Sequence, residues 1–545
     1  MDNSTNESKN VSVRTRAEGR RGLQMRRAGM NLKVLFVYPN LYMMNMMPPA
    51  IAVLSALLKQ KGIEVALFDT TYYMWDHAST VVAGQGVGRF DLSSDKRKEL
   101  TLQVRPFNLD ERGIRPKGTD MVEDFQDLVD TFHPDLIAMS VVEDTYPQGL
   151  YLLNQIKDRG IPTLVGGVFT TFAGHIAIEE EAIDMVCVGE GEGALVEVCE
   201  RLAQGKDYSD VKNLWVKDSN GRVKANRQRS LVELDDLPFM DFEIFEENRI
   251  YRPMAGQIYR MIPIETHRGC PYTCAYCNSP AQNILHQENG VGRFFRKRSM
   301  EKVREELAYH IERWNAEYVY FPADTFLAWS DQEFRSFIDM YSEFKLPFWI
   351  QTRPETITVE NVEMLKSVGC HRASMGIEHG NEKFRREVIR RPILNKDLIE
   401  RTNIIGERIP VSVNNITGFP TETRELAFDT IRLNQELVVD TMNCYSFMPY
   451  HGTPLREVAI EQGLVDPRAV TCSLTAGSIL NMPQYGPNEI RGISKCFSLY
   501  ARLPESKWPL IEKAEADTEE GNAIFADLRE QYIENFFNDG KVTFS

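Results

Sequence analysis

Short apolar runs that alternate with segments of helical periodicity fill the first part of the chain. The run at 32–37, Leu-Lys-Val-Leu-Phe-Val, suits a strand buried on both faces. Further strands are predicted at 65–68, 136–142, 162–165 and 185–188, and helices at 48–61, 149–159 and 194–202. This alternation predicts a doubly wound, Rossmann-like α/β sheet, which binds ligands at the carboxyl ends of its strands.

A second series of strands and helices follows a break in the pattern. A hairpin at 214–226, turning at Asn220-Gly221, closes the first domain at about 31–230, and the acidic, proline-bearing stretch 231–254 predicts a linker. Six further strands are predicted near 261–266, 318–321, 348–352, 372–376, 411–416 and 444–448. Six strand–helix units predict a partial TIM-type (β/α)6 barrel over 255–460, and helical spacing predicts a small helical domain over 461–545.

Composition and charge exclude several classes of function. At 545 residues, 43% apolar and 26% charged, the chain has the make-up of an ordinary protein of two or three domains. A net charge of −15 disfavours a nucleic acid or an anionic membrane as partner, and no apolar run is long enough for a membrane span. Residues 1–30 are polar and arginine-rich without an apolar core, which predicts a disordered tail rather than a secretory signal.

The nine cysteines include a single cluster. An odd number of scattered cysteines is typical of a reducing compartment, so a cytoplasmic protein is expected. Cys270, Cys274 and Cys277 form a C-x3-C-x2-C motif on a loop, and three such thiolates hold three irons of a four-iron cluster while leaving the fourth iron open. The alternatives are a zinc knuckle completed by His267 or three thiols without metal. Zinc sites usually pair C-x2-C with a second pair downstream, which is absent here.

The cysteine spacing resembles that of the radical S-adenosylmethionine (SAM) enzymes. This resemblance implies a 4Fe-4S cluster whose open iron chelates SAM and whose electron generates a 5'-deoxyadenosyl radical. Tyr276 stands where the family has an aromatic residue whose backbone contacts adenine. At predicted strand ends, Asp324 matches an acidic catalytic position, and Ser374 and Glu378 match positions that bind the methionine or ribose groups of SAM. Capping of a helix by Asp324 and a structural salt bridge of Glu378 remain alternatives.

Part of the first domain resembles a cobalamin-binding domain. The resemblance is carried by Gly166-Gly167, by Gly189-Glu190 and by Ser140, each at a predicted strand end, and it implies that these residues contact cobalamin. The Asp-x-His-x-x-Gly motif that supplies a cobalt ligand in many cobalamin proteins is absent from the loop at 38–47. In cobalamin-dependent radical SAM proteins this absence is common, and the corrin is then held without a histidine ligand.

Together these resemblances imply a cobalamin-dependent radical SAM methyltransferase. It would transfer methyl from SAM, through methylcobalamin, to an unactivated carbon or a phosphinate phosphorus of a small biosynthetic substrate, with electrons from a flavodoxin-like or ferredoxin-like reductant. The alternatives are a radical cyclase or oxidative rearrangement enzyme, as in anaerobic tetrapyrrole ring formation, and a non-catalytic corrin or iron–sulfur carrier. Methylthiolation is disfavoured because it needs a second cluster, and the first domain offers only Cys187 and Cys199.

Overall fold

The computed structural model describes residues 32–75, 98–471 and 477–537. The predicted disordered tail at 1–30 lies outside these residues. The described chain divides into two compact units. The first unit contains 32–75, 115–249 and 284–293, and the second contains 98–114, 250–283, 294–471 and 477–537.

The first unit is built on a seven-stranded sheet in the order β2-β1-β3-β4-β5-β6-β7. Its strands are β1 (Lys33–Tyr38), β2 (Glu64–Asp69), β3 (Leu136–Ser140), β4 (Thr163–Gly166), β5 (Met185–Cys187), β6 (Leu214–Lys217) and β7 (Val223–Ala225). Strands β1 to β5 are parallel, and the predicted hairpin adds β6 and β7 in antiparallel register. The structure confirms the predicted doubly wound domain, and the four central residues of β1 are buried, as the apolar run indicated.

Within the part of the chain that the structure describes, five α-helices accompany this sheet, and the strand order reverses between β1 and β3. The helices are α1 (Pro49–Gln60), α2 (Met121–Phe132), α3 (Tyr146–Gln155), α4 (Val168–Glu179) and α5 (Glu192–Ala203). Because β2 lies on one side of β1 and β3 on the other, the loops after β1 and β3 run in opposite directions. Such a reversal opens a crevice at the carboxyl ends of the strands, which is where this class of sheet binds ligands.

The second unit contains an open sheet in the order β16-β15-β14-β13-β12-β9-β8. Its strands are β8 (Tyr251–Met254), β9 (Gln257–Pro263), β12 (Tyr318–Phe321), β13 (Phe348–Thr352), β14 (Cys370–Glu378), β15 (Val411–Thr417) and β16 (Thr441–Ser446). A separate two-stranded ribbon consists of β10 (His267–Arg268), before the cysteine loop, and β11 (Arg296–Lys297), after it. Strands β9 and β12 to β16 are parallel, which confirms the predicted six-unit partial barrel. The seventh strand, β8, pairs antiparallel with β9 inside the stretch predicted to be a linker.

Helices separate the parallel strands of the second unit, and three more follow the barrel. They are α6 (Asn278–Glu288, whose last residues belong to the first unit), α7 (Met300–Trp314), α8 (Asp331–Tyr341), α9 (Val359–Ser367), α10 (Glu382–Glu387), α11 (Asn395–Gly406), α12 (Arg424–Gln435), α13 (Pro454–Glu461), α14 (Pro487–Arg502), α15 (Trp508–Ala514) and α16 (Glu519–Phe536). Ser299 caps α7, its hydroxyl accepting from the Lys302 amide. No described helix has the length and apolar character needed to cross a membrane.

The two units divide the chain differently from the predicted boundaries. Residues 98–114 were predicted inside the first domain but belong to the second unit. Helices α14 to α16, predicted as a separate small domain over 461–545, also belong to the second unit. Arg105 anchors the inserted segment by donating to Asp440 at 2.7 Å, and Arg372 also donates to Asp440. Arg424 holds the C-terminal helices by a bidentate bond to Glu515 at 2.9 and 2.8 Å. Single ion pairs between distant residues leave no periodic trace in a sequence.

Candidate functional site

The cysteine loop begins at a glycine that the backbone requires. Gly269 has φ +85°, and a Cβ there would stand 2.7 Å from the Phe294 ring. The side chain of Asn283 donates to the Cys270 carbonyl at 2.7 Å, and the Cys277 amide donates to the Cys274 carbonyl at 3.3 Å. The loop between β10 and α6 is therefore fixed at its start, its middle and its end.

The three loop thiols lie at the carboxyl ends of the barrel strands. Cys270 and Cys274 are buried and Cys277 is half-buried. Burial raises the pKa of the Cys270 and Cys277 thiols, and the Asp324 carboxylate adds to the shift at Cys277. Among the described residues, no three His, Cys, Asp or Glu side chains converge as ligands of one ion would. A four-iron cluster takes each thiolate on a different iron and supplies the positive charge that keeps buried thiols ionised, so this donor set fits it.

His267 is engaged within the fold. Its Nδ1 lies 3.1 Å from the Thr266 hydroxyl, and its Nε2 lies 3.1 Å from the Thr325 carbonyl oxygen. Burial lowers the pKa of His267 to about 4, so the ring is neutral. Both ring nitrogens have partners, which weighs against the alternative that His267 completes a zinc knuckle.

A chain of charged side chains joins the cysteine loop to the end of β14. The Tyr276 hydroxyl lies within hydrogen-bonding reach of the buried Glu378 carboxylate, which accepts from Arg391 at 3.2 Å. Arg391 in turn makes a bidentate bond to Glu355 at 2.8 and 2.7 Å. Although burial alone would raise the pKa of Glu355, Arg391 and Arg353 hold it well below its ordinary range.

Glu378 occupies a strained backbone position. Its φ is +68°, at a break in the register between β14 and β15. A Cβ at Gly376 would stand 1.9 Å from the Glu378 carboxylate oxygen, so only glycine leaves room for this side chain to fold back. Burial raises the pKa of Glu378, and Arg391 opposes that shift. The structure thus contains the salt bridge between Glu378 and Arg391, the alternative interpretation of Glu378. A salt bridge alone would not require the positive φ of Glu378, which is an energetically costly backbone conformation.

Asp324 follows β12 beside the cysteine loop. The residue is exposed, yet desolvation raises the pKa of its carboxyl, while a hydrogen bond from Ser279 opposes the shift. A side chain that solvent reaches while protein surrounds it is typical of the wall of a cavity. Asp324 caps no described helix, since Ser330 caps the helix that follows.

Polar side chains on neighbouring strands continue the site inside the barrel sheet. The Ser374 hydroxyl on β14 accepts from the Asn414 amide on β15 at 3.0 Å, and the amides of Asn414 and Asn443 meet at 2.8 Å. Ser374 was predicted from the resemblance. Asn414 on β15 and Asn443 on β16 were missed, although Val411, Ser412, Val413 and Asn414 alternate between apolar and polar residues.

In the first unit, the predicted residues lie together at the carboxyl edge of the sheet. Ser140, Gly166 and the pair Gly189-Glu190 follow or end β3, β4 and β5. Gly167 has φ +115°, and a Cβ there would stand 2.1 Å from the Val141 carbonyl oxygen. The loops after β3 and β4 thus touch through their backbones, and side chains are excluded from the edge where the strand order reverses.

Polar side chains fix the loops at this edge of the first unit. Asn40 stands early in the loop after β1, and its amide donates to the Met44 carbonyl at 2.8 Å and to the Thr71 hydroxyl at 2.7 Å. The Glu190 carboxylate similarly accepts from the Val232 amide at 3.2 Å. These polar side chains hold the loops in place.

Two comparisons of the sequence with protein families agree with this geometry. The radical SAM superfamily model matches residues 264–433, and the B12 binding domain model matches residues 107–199. The first range contains the three loop cysteines with Tyr276, Asp324, Ser374 and Glu378, and the second contains the five residues predicted at the cobalamin edge. The chain thus combines a radical SAM domain with a B12 binding domain. Its cofactors are accordingly a 4Fe-4S cluster, SAM and cobalamin.

Relatives and a solved structure match most of the chain. An uncharacterized methyltransferase of Pyrococcus horikoshii is 26% identical over 353 residues, which are 63% of this chain and 73% of the relative. The cytidylyl-2-hydroxyethylphosphonate methyltransferase of Streptomyces wedmorensis is 20% identical over 420 residues, 70% of this chain and 76% of the relative. The structure of the radical SAM methyltransferase TsrM from Kitasatospora setae, with cobalamin and a 4Fe-4S cluster bound, has a TM-score of 0.58 at 16% identity and covers 92% of this chain and 100% of TsrM.

For this radical SAM enzyme, sequence reasoning missed several side chains that surround the predicted ones. Glu355 and Arg391 were not singled out, although they brace Glu378 and the cysteine loop. In the first unit, Asp144 in the loop after β3 was also missed. Burial raises the pKa of Asp144 to about 6. Arg391 lies 114 residues beyond Cys277 in sequence, and no local pattern links the two.

Proposed function

We propose that this enzyme transfers a methyl group from SAM, by way of cobalamin, to an unactivated carbon or a phosphinate phosphorus of a small biosynthetic substrate. One observation carries the proposal. A loop with three thiols and no fourth cysteine close by in sequence stands in a chain that also contains a B12 binding domain. The relatives from Pyrococcus and Streptomyces are both named methyltransferases, which supports transfer of methyl over the cyclase and carrier alternatives.

The residues of the second unit would divide the work at the cluster. Cys270, Cys274 and Cys277 would hold three irons, which leaves the fourth to SAM. Glu378 would orient polar groups of SAM, because its carboxylate is buried and fixed by Arg391 and Tyr276. When bound, SAM and the cluster supply a carbon radical, and cobalamin carries the methyl group. The backbone of Tyr276 remains available for adenine.

Asp324 and Ser374 would act on the same side of the sheet. Asp324, whose pKa is raised by desolvation, would offer a hydrogen bond or a proton to a group in the cavity. The Ser374 hydroxyl would bind a polar group of SAM while it accepts from Asn414. In the first unit, Ser140, Gly166, Gly167, Gly189 and Glu190 would line the cobalamin edge.

The proposal also specifies partners and compartment. A low-potential one-electron donor of the flavodoxin or ferredoxin type would reduce the cluster, and neither nucleic acid nor a membrane would take part. A chain with scattered cysteines and an iron–sulfur cluster suits the cytoplasm. The enzyme would therefore act in the cytoplasm together with a protein that donates electrons.

Anaerobically purified protein, reconstituted with iron, sulfide and hydroxocobalamin, tests the proposal. With SAM whose methyl group is deuterated and an extract of small metabolites from the encoding organism, we expect a deuterated product. S-adenosylhomocysteine and 5'-deoxyadenosine should form along with it, since one SAM donates methyl and another the radical. Deoxyadenosine without S-adenosylhomocysteine would instead support the cyclase alternative. A protein that binds the cofactors but cleaves no SAM would be a carrier.

A further inference from the structure

The guanidinium of Arg353 lies against one sulfur of the cysteine loop. Its Nη1 donates to the Cys274 Sγ at 3.5 Å, and both side chains are buried. The guanidinium carbon also stands 3.6 Å from the ring centroid of Tyr272, which belongs to the same loop. The cation therefore stacks on the loop and points one N–H at a ligand sulfur.

A second contact fixes which N–H group faces the sulfur. Arg353 uses Nε and Nη2 for a bidentate bond to Glu355, at 3.1 and 2.6 Å, which leaves Nη1 for Cys274. Glu355 is itself held by the bidentate bond from Arg391. Because a guanidinium is planar, two fixed donors determine the direction of the third.

The other buried sulfur has a different neighbour. Cys270 Sγ lies 3.3 Å from the hydroxyl of Thr325, a neutral group. Hydrogen bonds to cluster sulfurs are among the features that set the reduction potential of an iron–sulfur cluster. A charged donor on one thiolate favours the more negative, reduced state more than a neutral donor does.

From these contacts we infer that Arg353 is a positioning residue that raises the reduction potential of the cluster through its bond to Cys274. The inference rests on the proposed function, because Cys274 must bind iron. The step concerned is the gain of one electron by the oxidised cluster, supplied by the external one-electron donor. Arg353 itself gains or loses neither an electron nor a proton. Its positive charge compensates part of the negative charge that the electron adds to the cluster.

Potentiometric titration of the reconstituted protein with dithionite, followed by electron paramagnetic resonance, tests the inference. We expect Arg353→Gln to disfavour reduction about tenfold, which is ~59 mV to lower potential for one electron. Arg353→Lys keeps the charge without the fork and should shift the potential less, in the same direction. Tyr272→Leu removes the stacked ring and should also produce a smaller shift. Iron and sulfide per chain are measured in every variant.

Arg424→Gln is the matched control. Arg424 also makes a bidentate bond, to Glu515, and lies 5.3 Å from an aromatic ring, that of Phe428. It should leave the potential unchanged. A wild-type potential in Arg353→Gln with full iron content would overturn the inference. If Arg353→Gln retains no cluster, wild-type potentials in both Arg353→Lys and Tyr272→Leu would overturn it. A wild-type protein that takes up no iron would instead refute the proposed cluster.

Discussion

The carboxyl ends of the two parallel sheets are built from different groups. In the first unit, the loops after β3 and β4 meet through their backbones, and a Cβ at Gly167 would strike the Val141 carbonyl. In the second unit, the corresponding edge carries buried charges, with Arg391 bonded to both Glu355 and Glu378. The same strand arrangement thus brings two loop backbones into close contact in one unit and holds a network of buried charges in the other.

The difference teaches how each sheet suits its cofactor. A corrin is broad and makes contact over a large area, so close approach of the backbone matters more than any single side chain. An iron–sulfur cluster and SAM are compact and charged, so they need fixed ionic partners at defined points. Substitutions should therefore act through shape in the first unit and through charge in the second.

The largest effect is expected at the cysteines of the second unit. Alanine at Cys270, Cys274 or Cys277 removes a thiolate ligand, so iron uptake and formation of 5'-deoxyadenosine should fall to background. Iron, acid-labile sulfide and deoxyadenosine are measured after anaerobic reconstitution. Cys370→Ala, at a buried cysteine on β14 outside the loop, should retain the cluster. Full turnover in any of the three loop variants would contradict the assignment.

Removal of one charge from the network should weaken SAM binding without loss of the cluster. Glu378→Gln is expected to raise the dissociation constant of SAM about 10–100-fold, because charged hydrogen bonds contribute about 1.5–3 kcal/mol. Anaerobic calorimetric titration with SAM measures this. Glu387→Gln, at an exposed pair with Arg386, provides the control. Equal SAM affinities in the two variants would show that Glu378 plays only a structural part.

A single methyl group should disturb the edge of the first unit. Gly167→Ala combines a left-handed φ with a clash against Val141, a cost of about 1–3 kcal/mol that should weaken hydroxocobalamin binding about tenfold. Gly160→Ala has φ +70° but open space around the added Cβ, so it tests the backbone cost alone. Equilibrium dialysis with hydroxocobalamin compares the two. Equal affinity in both variants would argue against a corrin at this edge.

The smallest effect is expected from a buried charge in the first unit. The pKa of Asp144 is about 6 in the folded protein against 3.8 ordinarily, so the folded state holds this proton more tightly than the unfolded chain does. Its contribution to stability is complete below pH about 4 and is lost as the pH rises through about 6. Asp144→Asn should therefore raise the free energy of unfolding by about 1–2 kcal/mol at pH 7.5, after allowance for partial exposure.

Calorimetric melting temperatures check the sign of this effect. The gain of Asp144→Asn over wild type should be clear at pH 7.5 and nearly absent at pH 4.5. Asp158→Asn, at an exposed residue, should show no such dependence. A larger gain at pH 4.5 than at pH 7.5 would contradict the buried, proton-holding environment of Asp144.

The fold could be predicted from the sequence because its elements leave local patterns. Strands buried on both faces, such as β1 and β12, appear as apolar runs, whereas β13 and β15 alternate buried and half-buried residues. The strand β8 was missed because its sequence, Tyr-Arg-Pro-Met, carries a proline and an arginine and pairs only at the sheet edge. The segment 98–114 has no periodic pattern that would assign it to either unit.

The candidate site was predicted where a short motif or the end of a predicted strand marks a residue, as at the loop cysteines and at Asp324, Ser374 and Glu378. The three loop cysteines lie within one loop, and Gly166 and Gly167 lie at the end of one strand. Arg353, Glu355 and Arg391 meet because strands and loops far apart in sequence converge at one sheet edge. Such convergence follows from the fold and leaves no trace in any short segment.

The bond from Arg105 to Asp440 has a practical consequence for dissection of the protein. The chain leaves the first unit near residue 98, contributes Arg105 to the second, and returns before residue 115. Neither half of the gene therefore encodes a complete unit. In the intact protein, two cations, Arg105 and Arg372, pair with the buried carboxylate of Asp440. A fragment that starts after residue 230 lacks Arg105 and would leave Arg372 as the single partner of that buried charge. Biochemical work on the radical chemistry therefore needs the whole polypeptide.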